Sequence, residues 1–194
     1  MQFTPKFFRG LARDLAIVAA ITLAPIGASA VPLTVTAQNS TNVFGTNGHS
    51  RATILETSIR PRGVGVQAGG FAVQADLNGT GVEAFTAWRV DIATRLRLPS
   101  TYTPTTSPFA SGPISATTMA NIERLFETGF KTLDLTRNKQ SAGFQLALWE
   151  VLYETSGTFN ASVGNFRASK STRAINKANL LLAGMSGPVT QNSA

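Results

Sequence analysis

Apolar residues crowd most densely, outside the N-terminal segment, into residues 144–153, where Gln145, Glu150 and the phenol of Tyr153 interrupt them. Phe144, Leu148, Val151, Leu152 and Thr155 recur at helical spacing, and Leu146, Trp149 and Tyr153 load the neighbouring face. A helix that is apolar on nearly every side must be enclosed by other elements. The pattern therefore predicts a core helix starting near Ser141 and stopped by Ser156-Gly157. Two amphipathic stretches flank it. Met119, Ile122, Leu125, Phe126 and Phe130 form a stripe behind a cap at Ser115 or Thr117. Ala174, Ile175, Ala178, Leu181 and Leu182 form another, opened by Ser169 or Ser171 and ended by Gly184.

The first half of the chain has a different period. Residues 31–37 alternate as a strand, and a polar stretch, 38–49, reads as loop. Extended segments are predicted at 53–60 and 63–76, joined by a turn at Arg60-Pro61-Arg62-Gly63. Asn78-Gly79 then marks a hairpin into a strand over 82–92. On that strand Val82, Ala84, Thr86, Trp88, Val90 and Ile92 share one face; Phe85, Ala87, Arg89 and Asp91 share the other. Residues 98–113, rich in Pro, Ser and Thr, read as a loop crossing to the helical half. Strands come first and helices second, so the expected class is α+β, an antiparallel sheet or sandwich packed with about three helices.

The ends of the chain change the picture. Residues 1–30 read as a secretory signal peptide, with Lys6, Arg9 and Arg13 before an apolar run and Ala28-Ser29-Ala30 at the cleavage position. That apolar run is short and broken by Pro25, and no later segment reaches spanning length, so no transmembrane segment is expected after leader cleavage. One globular module is expected over 31–185, followed by a disordered tail over 186–194.

Composition narrows the chemistry. The 194 residues contain no Cys, which excludes disulfides, thiolate metal sites and Cys nucleophiles. The hydrophobic share of 43% against 14% charged is that of a folded domain. The formal charge of +7 falls to about +5 without the leader's Lys6, Arg9, Arg13 and Asp14. Basic residues are scattered except for Arg167, Lys170, Arg173 and Lys177, which read as a solvated helix face; nucleic acid is not an expected partner. His49, the single His, sits in a polar loop without partners in sequence, and Asp76-x-Asn78-Gly lacks the twelfth-position Glu of a calcium loop, so both read as solvated loop or turn. No metal or other cofactor is expected. Glu150 and Glu154, one turn apart, and Asp91 are the candidate carboxylates of an exported hydrolase, although such a pair more commonly marks the wet side of a helix.

Two stretches, Phe85-Thr86-Ala87-Trp88-Arg89-Val90-Asp91-Ile92 and Phe144-Gln145-Leu146-Ala147-Leu148-Trp149-Glu150, together resemble the thioester-type (TQXA-type) domains of exported bacterial surface proteins, including those with PEP-CTERM-like sorting tails. Ile122-Glu123-Arg124-Leu125-Phe126 is similar to the connecting helix, and the likeness spans roughly residues 66 to 185. The resemblance implies a strand Cys condensed with a helix Gln into an amine-capturing thioester. Gln145 stands at the Gln position, but Arg89 stands where the Cys belongs. An acyl transfer of this kind needs a thiolate. The resemblance thus implies the fold and the export route without the activity, and a non-enzymatic module for a cell-surface, matrix or protein partner. Arg89, Asp91, Gln145, Trp149 and Glu150 are its candidate structural or binding residues. A partly buried Arg89, bonded to Asp91, Gln145 or Glu150, is expected, because a desolvated guanidinium must be paired.

Overall fold

The computed structural model describes residues 33–56, 60–76, 81–92, 96, 98–102, 114–155 and 158–185. The expected leader, the turn expected at Asn78-Gly79, most of the expected Pro-rich loop, the stop expected at Ser156-Gly157 and the tail expected after 185 lie outside these residues. The class is α+β, as expected. Among the described residues, seven strands, β1 (Leu33–Ala37), β2 (His49–Glu56), β3 (Arg60–Gly69), β4 (Phe71–Ala75), β5 (Glu83–Ala87), β6 (Ser100–Tyr102) and β7 (Phe166–Ser169), accompany three α-helices, α1 (Ala116–Gly129), α2 (Asn138–Tyr153) and α3 (Thr172–Gly184).

All strand pairs are antiparallel and fall into two sheets, ordered β5-β4-β1-β6 and β3-β2-β7. The single extended segment expected over 63–76 is broken at Gly70. Its backbone N–H donates to the Ser141 hydroxyl of α2 at 3.0 Å rather than to a strand, and the chain changes sheets there. The turn expected at 60–63 is instead the start of β3, with a register shift opposite Ile54 and Glu56. Pro61 is tolerated because β3 is an edge strand. Pattern reading missed β6 and β7, which are three and four residues long and too short to show a period.

Helix α2 is the centre. Every residue from Ser141 to Val151 is buried, because the three-stranded sheet, α1 and α3 surround it. Gly143 lets α3 come close: a Cβ there would lie 2.8 Å from Lys177 Cβ and 3.0 Å from the Ala174 carbonyl. Trp88 packs on Phe144 at 4.6 Å between ring centroids, and Phe126 and Phe130 complete the aromatic group. Fully burying a ring such as Phe144 is worth about 1.5–3 kcal/mol. A smaller core of Phe44, Phe71, Val73, Ala75 and Phe85 belongs to the four-stranded sheet. The caps follow the sequence: Ser115 accepts the Thr118 N–H at the start of α1, and Ser171 precedes α3. His49 is not a loop residue. It opens β2, half-buried, with its ring stacked on Phe44 at 4.2 Å.

Candidate functional site

The strand predicted over 82–92 pairs only as far as Ala87. Residues 88–92 leave the sheet and lie along α2 as an extended strap, with Trp88, Val90 and Ile92 buried. The alternation read from the sequence therefore survives, but a helix replaces the neighbouring strand. A backbone leaving a sheet must find new partners for its N–H and C=O groups.

Two side chains of α2 supply them. Gln145, 1% exposed, accepts the Arg89 N–H through Oε1 at 3.0 Å and donates from Nε2 to the Arg89 carbonyl at 2.8 Å. A primary amide can do this because it carries an acceptor and a donor side by side, as a neighbouring strand would. Eight residues on, about 12 Å along the helix axis, the Tyr153 hydroxyl donates to the Val90 carbonyl and accepts the Ile92 N–H, both at 3.2 Å. The strap thus runs in the direction of α2, held near each end.

The Arg89 side chain turns back along the strap. Its Nε donates to the Asp91 carbonyl at 2.7 Å and its Nη2 to the Ile92 carbonyl at 3.1 Å. Arg89 is partly buried, as expected, and bonded to both Asp91 and Gln145, but these bonds use the carbonyl of Asp91 and the backbone of residue 89. Tyr153 was not foreseen. Burial pushes its hydroxyl up to about 12, with the charges of Asp91 and Glu56 adding to the effect, while the Ile92 hydrogen bond and Arg89 oppose it. The available signal was a polar-tipped side chain on an otherwise enclosed helix.

Glu150 is neither a solvated residue nor an open acid. It is fully buried; Oε1 accepts the Asn160 N–H at 2.7 Å, and Oε2 has no partner among the described residues. Burial lifts its pKa to about 7, against the Asn160 bond and helped by the neighbouring Glu154 charge. Glu154 accepts the Asn165 N–H at 2.8 Å and the Phe166 N–H at 3.3 Å. Gly164, at φ +106°, makes room for that carboxylate, since a Cβ there would overlap it. The two acids therefore anchor the segment leading into β7 rather than forming the wet helix face expected. Asn179 of α3 pins the same segment, accepting the Ala161 N–H at 2.9 Å and donating to Asn160 Oδ1 at 3.1 Å. Trp149 is 1% exposed, and its indole N–H has no partner among the described residues.

Concavities open on the surface of the described residues. One of about 620 Å³ lies between the sheets, bordered by Val43, Phe44, Val66, Phe71, Leu98 and Arg89; another, of about 180 Å³, is bordered by Gln38, Asn47, Phe85, Thr86 and Phe130. Among the described residues no carboxylate lines either of them. Arg89 and Gln145 meet, and Asp91 joins them through its carbonyl; Glu150 and Trp149 lie further along α2, with Glu150 turned to the Asn160 segment. No helix among the described residues is long and apolar enough to cross a membrane. No protein-family model, no curated protein and no solved structure matches the chain.

Proposed function

We propose that the chain is an exported, non-enzymatic surface or extracellular interaction module, a relative of thioester domains that keeps their frame without their chemistry. The observation that carries this reading is the meeting of residues 89 and 145, the two positions that the resemblance pairs covalently. Their backbone-to-amide contacts of 3.0 and 2.8 Å occupy both ends of the Gln145 amide. An amide held this way keeps its nitrogen, and Arg89 offers no nucleophile at neutral pH. The same two positions, through the Gln145 amide and the backbone of Arg89, instead hold the strap to α2. The carboxylates give the hydrolase alternative little support, since Glu150 and Glu154 hold backbone N–H groups.

The test is retention of the purified chain on the native cell envelope and secreted matrix. Saturable retention that survives pretreatment of the protein with methylamine is the expected result. Retention abolished by methylamine, or absent altogether, would remove the proposal.

A further inference from the structure

The larger concavity, of about 620 Å³, falls within the roughly 300–1,000 Å³ of sites that hold small molecules. Its borders come from both sheets and from both hydrophobic cores. Phe44 and Phe71, with ring centroids 5.2 Å apart, belong to the smaller core, and Val43 and Leu98 pack against it. Val66 packs against the larger core around α2. The cavity therefore lies where the two cores stop short of each other, with apolar side chains on both sides. Val43, Val66 and Leu98 are half-buried and Leu96 is exposed, so apolar surface there is still open to burial by a guest. Gly65 of β3 adds no side chain to the border, and an added Cβ would find only the Arg51 guanidinium, 4.0 Å away. The polar groups are the hydroxyls of Thr36 and Ser40, the amides of Asn39 and Gln67, and Arg89.

We propose that this cavity binds a small amphiphile, a carboxylate carried on an apolar body. The site is separate from the macromolecular contact proposed above, so either can fail without the other. Arg89 is the one charged residue among the described residues that border the cavity. Its guanidinium keeps its charge at every working pH. The bonds from Nε and Nη2 to the Asp91 and Ile92 carbonyls hold it in place without neutralising it, because a carbonyl carries no net charge. Glu56 and Asp91, the acids whose charges reach Tyr153, do not border the cavity. A carboxylate at this wall meets an opposite charge in surroundings less polar than water, where the attraction is stronger, and an ammonium is repelled there. A single cation beside mainly apolar walls matches one anionic head on an apolar body rather than a polyanion.

Isothermal titration calorimetry on the full chain at neutral pH compares octanoate, octanol and octylammonium, and then hexanoate and decanoate. Expected is saturable one-to-one binding of octanoate, at least about tenfold tighter than octanol, and no binding of octylammonium. Affinity should rise about tenfold with each pair of methylenes added from hexanoate to decanoate. Arg89→Gln should bring octanoate down to the octanol level, and Arg89→Lys should keep most of the difference. Because Arg89 also ties down the strap, a second variant tests the cavity without touching that residue. Gly65→Phe places a ring on the border where an added Cβ has room, and should abolish binding while the chain still melts cooperatively. The proposal is overturned by octanoate binding no tighter than octanol or octylammonium, by affinity indifferent to chain length, by undiminished binding to folded Gly65→Phe, or by no saturable binding at all.

Discussion

Glu150 makes stability depend on pH in a calculable way. Its carboxyl titrates at about 7 in the folded chain against an ordinary value of 4.5, because burial penalises the ionised form and Glu154 adds to that penalty. Between those two values the folded state holds a proton that the unfolded state has lost. Stability therefore falls as pH rises from about 4.5 to about 7, and is flat in this group's contribution outside that window. Each unit is worth about 1.4 kcal/mol, so the whole span of about 2.5 units comes to roughly 3.5 kcal/mol, a large part of a domain's margin. Glu150→Gln keeps the oxygen that accepts the Asn160 N–H and removes the charge. Its amide nitrogen takes the place of the unpartnered oxygen, at a cost that does not vary with pH. Urea unfolding of both proteins at pH 5, 6, 7 and 8 isolates the effect, because other titrating groups cancel in the difference. The variant should gain on the wild type by about 2.5 kcal/mol between pH 5 and pH 8. A difference constant across that range would refute the buried, uncompensated Glu150.

Other expected outcomes concern the strap and the missing thioester. Gln145→Ala should cost about 2–4 kcal/mol by leaving both backbone groups of Arg89 without their partner, and Gln145→Glu should be no better at neutral pH, since a carboxylate cannot donate to the Arg89 carbonyl; chemical denaturation measures both. Tyr153→Phe should cost about 1–2 kcal/mol, and hydrogen exchange at the Ile92 amide should accelerate more than in the body of α2. Arg89→Ala should cost about 1–3 kcal/mol by freeing the carbonyls of Asp91 and Ile92, so an unchanged melting curve would discount those bonds. Intact mass spectrometry should find neither an ammonia loss of about 17 Da nor a methylamine adduct at Gln145.

The helices were legible from the sequence because each carries its own instruction. The run from Phe144 to Tyr153 must be enclosed, Ser115 and Ser171 mark helix starts, and Gly184 marks an end. The structure moved the start of the core helix only to Asn138. Local periodicity put Trp88, Val90 and Ile92 on one face, but could not say that this face is the buried one, since Val82 on the same face is exposed and Phe85 on the other is buried, nor what lay opposite it. Whether an alternating segment pairs with a strand or lies on a helix depends on groups far away in sequence, here Gln145 and Tyr153, more than fifty residues on. The same limit hid the change of sheet at Gly70, which Ser141 receives, and the four-residue β7, which forms because Glu154 and Asn179 hold the segment before it. The charges of Glu150 and Glu154 were plain in the sequence, and their spacing suggested water or catalysis. Only packing turned one of them into a buried acid, because desolvation belongs to the surrounding elements and not to the residue itself.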